Sequence, residues 1–314
     1  MKAIAASGPS RIVLLDSSEH NLFQIQQQME LACSHVPREL VLGSVDDVDL
    51  LDDIFFRFRP EVVYHAAAFK HVPLLERNPI AAVRNNAIGT YTLAQAALRH
   101  GTPRLILIST DKAVNPHSVM GVSKRLAELA VVSLGSRVTR MNAIRLVNVI
   151  GSPGSVVPIF LKQIAERKPV TVTHPDATRW FMSLNDAVHA ILACGTAEME
   201  GGDIEGRIFV PELGAQTRIA DLAASLMETA EIPIVFTGCR PGDKLTEELV
   251  SKVETKEGTI GGSLQVIGTC RLQPAELDGV MKRLCDCISS HDVPELIQAL
   301  VSVVSEYVPS DLLR

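Results

Sequence analysis

The feature that most constrains this chain is an alternation. Through the first 150 residues, short unbroken apolar runs take turns with stretches of helical spacing. Arg11 to Asp16, Glu39 to Gly43, Glu61 to Ala66, Arg104 to Ser109 and Asn142 to Leu146 read as strands. Asn21 to Cys33, Asp47 to Phe56, Ala81 to Arg99 and Met120 to Leu134 read as helices. Runs that do not alternate apolar with polar residues belong to strands covered on both faces, as in a parallel sheet. Strands taking turns with helices give a doubly wound α/β fold. The expected fold class is therefore α/β, a Rossmann-like doubly wound parallel sheet with a smaller C-terminal substrate lobe.

After about residue 150 the rhythm loosens. Helices are expected over Val157–Arg167, Asn185–Thr196 and Ile219–Ala230, and strands over Pro169–Val172 and Arg207–Val210. A turn from Gly238 to Lys244 is expected to open a further helix, and Pro274 to Tyr307 reads as mostly helical. The expected division is a dinucleotide-binding domain at 1–150, mainly a substrate lobe at 151–261, and a helical tail at 262–314.

A dinucleotide-binding sheet ordinarily opens with an apolar strand, a G-x-G-x-x-G loop and a helix, with an acid about 20 residues further on. The acid is here as Asp16, but Met1 to Ser7 leaves room only for the end of the first helix. The first strand and the glycine-rich loop are lacking, so the domain reads as N-terminally incomplete. Either the native polypeptide starts upstream, or the chain does not bind a dinucleotide in the ordinary way.

Composition excludes several function classes. A net charge of -6 gives no electrostatic reason for a nucleic acid or an anionic membrane as partner. No apolar run approaches the roughly 18–20 residues that span a bilayer. The first residues do not form a signal peptide, so a cytoplasmic location is expected. The six cysteines are scattered and read as free thiols, and no metal site is expected.

The chemistry concentrates in one segment. The apolar run Leu105-Ile106-Leu107-Ile108 ends in Ser109-Thr110-Asp111-Lys112, and the helix that follows carries Lys124 four positions after Met120. In open α/β sheets, ligands bind beyond the C-terminal ends of strands. A small hydroxyl, an acid and a base at one strand end, with a lysine returning from the next helix, form a plausible acid–base site.

Taken together, the motifs resemble a known family. They are His65-Ala66-Ala67-Ala68-Phe69-Lys70-His71-Val72-Pro73, Ser109 to Pro116, Met120-Gly121-Val122-Ser123-Lys124-Arg125, Asn148-Val149-Ile150-Gly151-Ser152, Thr178 to Met182 and Arg240-Pro241-Gly242-Asp243-Lys244. The sequence is similar, from Met1 to about Gly261, to the nucleotide-sugar 4,6-dehydratases of the extended short-chain dehydrogenase superfamily. More narrowly it resembles the CapD-like polysaccharide-biosynthesis branch, which acts on UDP-N-acetylglucosamine.

The resemblance implies NAD as cofactor, a UDP-sugar substrate and a homo-oligomer. Large members of the branch are membrane-anchored. It makes Asp111 the general acid at C6 and Lys112 the base at C5. A basic Lys112 requires a lowered pKa, which burial could provide. Lys124 would hold the nicotinamide ribose. Met120 stands where most short-chain dehydrogenases place a tyrosine, and it cannot ionise. It is either a mark of the Met-type branch or a plain core residue. Thr110, a water or the ribose would then take the C4 hydroxyl proton.

Cofactor contacts are expected from Asp16 at the adenosine ribose, Asp46 beside the adenine, the small Ala66, Ala67 and Ala68, and Asn86 through backbone hydrogen bonds. Asp46 could instead cap the following helix. Lys70, Asn148, Arg179 and Arg240 would face the substrate, although Arg179 and Arg240 could equally pair with surface acids such as Asp176 or Asp243. The alternatives to a dehydratase are a UDP-sugar 4-epimerase and a non-catalytic remnant that binds a UDP-sugar or a partner.

Overall fold

The computed structural model describes residues 1–152, 154–197, 206–227 and 232–313. A short helix, α1 (Lys2–Ala6), leads into β1 (Ile12–Asp16), α2 (Glu19–Cys33), β2 (Arg38–Leu42), α3 (Val48–Phe58) and β3 (Val62–His65). Next come α4 (Val72–Leu75), α5 (Pro79–Val83), a π-turn at Arg84–Ile88, α6 (Gly89–Arg99), β4 (Arg104–Thr110), a 3-10 turn at Asp111–Ala113, α7 (Val119–Leu134) and β5 (Arg140–Leu146). The expected long helix from Ala81 to Arg99 is thus α5 and α6 joined through one π-turn.

The later residues form β6 (Asn148–Val149), α8 (Val156–Ala165), β7 (Val170–Val172), β8 (Thr178–Arg179), β9 (Phe181–Met182), α9 (Leu184–Thr196), β10 (Ile208–Pro211), β11 (Thr217–Arg218), α10 (Ile219–Met227) and β12 (Ile234–Phe236). The expected end of α10, residues 228–230, lies outside the described residues. Strands β13 (Thr255–Ile260) and β14 (Leu264–Gly268), then helices α11 (Pro274–Ser290) and α12 (Val293–Val303), complete the chain. No helix follows the Gly238–Lys244 turn, contrary to the sequence expectation; residues 245–254 run as turns and bends.

The main sheet has six strands in the order β13-β14-β10-β5-β4-β3. Strands β3, β4, β5 and β10 run parallel, β14 runs antiparallel to β10, and β13 runs antiparallel to β14. The α/β, Rossmann-like expectation is met. Its division at residue 150 does not follow the sheet, because β10, β13 and β14 come from later in the chain. Strands β1 and β2 pair in parallel as a separate two-stranded sheet.

The apolar runs are unbroken because both faces are covered. Leu105 and Leu107 of β4 join one core with Met141, Ala143, Ile208 and Val210, against α3, α6 and α7. The alternate residues Ile106, Ile144 and Phe209 face a second core that includes Ala187, Ala190 and Cys194 of α9. Val13, Leu15 and Val41 of the two-stranded sheet pack on the first of these cores. Helices α11 and α12 bury Leu277, Met281, Leu284, Leu296 and Leu300 against α5 and the outer side of α7.

Candidate active site

The C-terminal end of β4 gathers the chemistry. Helix α7 is fixed there by two caps. The Ser118 hydroxyl accepts from the Gly121 N–H at 3.1 Å, and the buried Glu76 Oε1 accepts from the Val119 N–H at 2.6 Å. A carboxylate at a helix N-terminus satisfies an otherwise orphaned donor and suits the helix dipole. Gly121 is required by space: a Cβ there would lie 2.4 Å from the Lys112 carbonyl oxygen. The helix therefore packs tightly on the 3-10 turn that carries Asp111 and Lys112.

Thr110 closes that turn. Its Oγ1 accepts from the Lys112 N–H at 3.4 Å and donates to Asp111 Oδ1 at 2.9 Å. Asp111 is fully buried. Its Oδ1 also accepts from Lys112 Nζ at 2.8 Å, while Oδ2 has no hydrogen-bond partner among the described residues. Lys112 is the more accessible member of the pair, with 24% of its side chain exposed.

The expected depression of the Lys112 pKa is not found. Burial pulls it down, but the Asp111 and Glu247 carboxylates outweigh burial and hold the ammonium above its usual range. The softened lysine is Lys124 instead. It is 4% exposed and donates to the Ile108 carbonyl at 2.8 Å. Burial, only partly offset by Glu128, lowers it to about 8.

Behind the strand ends lies a buried polar relay. The Thr90 hydroxyl donates to the Asn86 carbonyl at 2.6 Å, so His65 Nε2, 2.8 Å from the same hydroxyl, is the donor in that pair. Burial first and the Lys124 charge second lower His65 to about 3, so its imidazole is neutral. Asn86 sits within the π-turn, fully buried. Its Oδ1 accepts from the Phe69 N–H at 2.8 Å, and its Nδ2 donates to the Phe69 carbonyl at 3.1 Å and to Ser123 Oγ at 3.0 Å. Asn86 thereby ties the loop after β3, which carries Ala66, Ala67 and Ala68, to α7.

Thr110, Asp111, Lys112 and Arg179 come together, and Lys124 returns to β4 from α7. The other expected residues have mixed placements. Met120 is 4% exposed and lies in the core shared with α11 and α12. Asp16 is engaged in its own turn, accepting from the Ser18 N–H at 2.8 Å and from Asn21 Nδ2 at 3.3 Å. Asp46 is half-buried, and the cap of α3 is Asp47, which accepts from the Leu50 N–H at 3.0 Å. Lys70 is exposed on the loop before α4. Asn148 donates to the Trp180 carbonyl at 2.9 Å. Arg240, 56% exposed, is paired with Asp243 at 2.9 Å.

Two further residues belong to the site. Lys244 Nζ donates to the Val114 carbonyl at 2.7 Å, and Glu247 is 3% exposed beside Lys112, Lys244 and Arg179. The sequence signal for them is an acid three positions after the lysine of Arg240-Pro241-Gly242-Asp243-Lys244.

Comparison with known proteins shows the family. Residues 1–267 match the family described as polysaccharide biosynthesis protein. The chain belongs to that family. It is 44% identical over 262 residues to "Probable polysaccharide biosynthesis protein EpsC" of Bacillus subtilis, an alignment covering 81% of this chain and 43% of the relative. It is 40% identical over 264 residues to "Capsular polysaccharide biosynthesis protein CapD" of Staphylococcus aureus, with the same coverages of 81% and 43%. The chain thus spans less than half the length of these two relatives. A UDP-glucose 4-epimerase of Rickettsia typhi is 36% identical over 248 residues, 77% of this chain and 70% of the relative.

Among solved structures, Pen from Bacillus thuringiensis superposes with a TM-score of 0.75 at 26% identity, covering 86% of this chain and 85% of that one. DesIV, a dTDP-glucose 4,6-dehydratase from Streptomyces venezuelae solved with NAD bound, shares the fold at a TM-score of 0.66 and 19% identity, covering 79% of this chain and 81% of that one. The expected CapD-like resemblance is borne out by the family and these relatives. No helix among the described residues is long and apolar enough to cross a membrane.

Proposed function

We propose that this protein is an NAD-dependent nucleotide-sugar 4,6-dehydratase that takes UDP-N-acetylglucosamine to a UDP-4-keto-6-deoxy amino sugar for polysaccharide or glycan synthesis. The observation that carries this reading is the Asp111–Lys112 pair, joined at 2.8 Å at the end of β4. A 4-epimerase moves hydride at C4 and has no use for a second acid–base pair. A dehydratase must remove a C5 proton and protonate the leaving C6 hydroxyl, which an adjacent acid and base can do.

The residues present suit the cofactor's nicotinamide half. Lys124 is a buried ammonium at the end of β4, and Ala66 to Ala68 leave a strip free of bulky side chains after β3. Asp16 stands at the end of β1, where a ribose carboxylate belongs. When bound, NAD supplies the hydride acceptor and donor for this class of reaction.

At rest Lys112 keeps its proton, held there by the neighbouring carboxylates. Transfer of that proton along the 2.8 Å hydrogen bond leaves a carboxylic acid beside an amine. That is the state in which Lys112 can take the C5 proton while Asp111 protonates the C6 oxygen, which leaves as water. Thr110, donating to the same Asp111 oxygen, orients the carboxyl throughout. Arg179 adds positive charge beside Lys112.

The test is incubation of the chain with NAD and UDP-N-acetylglucosamine, followed by mass spectrometry. Loss of water with a 4-keto product is expected, and Lys112→Ala should lower the rate by ~10²–10⁴-fold. A 4-epimer formed without water loss would replace the dehydratase with an epimerase.

A further inference from the structure

Glu247 is a buried carboxylate that the reaction as written does not use. Its side chain is 3% exposed, and three cations surround it: Lys244 Nζ at 3.7 Å, Arg179 Nη2 at 3.8 Å and Lys112 Nζ at 3.9 Å. Its Oε2 is buried and makes no hydrogen bond among the described residues. A buried ionised carboxylate persists only where charge compensates it. Here the compensation comes from the base of the proposed reaction, from the arginine beside it and from a second lysine.

The surroundings hold this acid firmly. Gln216 Nε2 donates to the Glu247 carbonyl at 3.0 Å. Arg179 donates to the carbonyls of Lys244 at 2.8 Å and Leu245 at 2.9 Å, clamping the segment that carries Glu247. Lys244 is anchored on Val114, at the far end of the turn that holds Asp111 and Lys112. The cluster thus closes a loop from the catalytic turn through Lys244 and Glu247 to Arg179 and back.

We propose that Glu247 is a positioning residue for the acid–base pair: its buried carboxylate holds Lys112, Lys244 and Arg179 about one point, so that Lys112 keeps its place when Asp111 carries the proton. This rests on the dehydratase reading of Asp111 and Lys112. Glu247 acts through the cations it pairs with, Lys112 foremost. The charged groups facing Lys112 are Asp111, Glu247 and Arg179. Those facing Lys244 are Glu247, Glu248 and Asp111. Of these, Glu247 alone pairs with Lys112, Lys244 and Arg179 together.

The experiment follows the Lys112 side chain by NMR in isotopically labelled full chain, assigned with Lys112→Arg, alongside the pH profile of dehydration. Glu247→Gln keeps the shape and removes the charge. The Lys112 midpoint should fall by about one pH unit or more, and the matching limb of the rate profile should move with it. Glu247→Asp, a shorter carboxylate, should fall part of the way. An unmoved Lys112 midpoint in folded Glu247→Gln overturns the proposal, and if that variant does not fold, an unmoved midpoint in Glu247→Asp does so. A shifted midpoint in a chain that never dehydrates UDP-N-acetylglucosamine removes the dehydratase reading and the positioning role with it, and leaves only the charge coupling of Glu247 to Lys112.

Discussion

His65 and Lys124 are buried bases held toward their neutral forms, and each leaves a mark on stability. His65 titrates at about 3 when folded, against an ordinary 6.5. Between those values the unfolded chain binds a proton that the folded chain refuses. The stability it contributes is complete above pH 6.5 and is lost as pH falls toward 3. Lys124 titrates at about 8 when folded, against an ordinary 10.5. The folded chain bears the cost of a buried ammonium below pH 8, and that cost lifts between 8 and 10.5, so stability rises with pH there. The lift is about 3 kcal/mol. Melting temperatures across the pH range should lose the acid slope in His65→Gln and the alkaline rise in Lys124→Met. Variants that retain both slopes would show that these side chains are solvated. Neither behaviour is legible in the sequence, because both arise from burial by residues far along the chain.

At the level of elements, the catalytic turn depends on how closely α7 approaches it. Gly121→Ala would set a methyl against the Lys112 carbonyl, where no flexible side chain can yield. A loss of about 1–3 kcal/mol is expected from such overpacking. It should come with a displaced Lys112 and weakened dehydration, measured by denaturant melts and assay. The strands and helices flanking this turn were open to sequence reasoning, because their apolar runs and caps are local signals. Residues 245–254 were not. Leu245-Thr246-Glu247-Glu248-Leu249 contains helix formers, yet its carbonyls are engaged from elsewhere: Leu245 by Arg179, Leu249 by Arg145 and Glu247 by Gln216. Side chains distant in sequence take the acceptors that a helix would need. The β13–β14 hairpin did carry a local sign, the Gly261-Gly262 pair, whose φ values of 58° and 68° suit the tight three-residue connection from Ile260 to Leu264.

Across the whole molecule, one buried charge network joins the sheet to the segment after the site. Arg145 bonds both Glu128 and Glu254 at 2.7 Å, with all three side chains fully buried. Arg125 adds bonds to Glu128 at 3.0 Å and Glu254 at 2.9 Å. Arg145→Ala would strand two carboxylates without their central partner, and a loss of about 3–5 kcal/mol is expected in denaturant unfolding. Helices α11 and α12 lie beyond the family match, which ends at residue 267. They cover the outer side of α7, including Val122, Leu126 and Met120. Deleting residues 270–314 should expose that face, and aggregation with loss of cooperative melting is expected in chromatography and calorimetry. Position 120 therefore answers to the fit of the tail. A side chain of another shape at that position would be felt by α11 and α12, on the far side of the helix from the sheet.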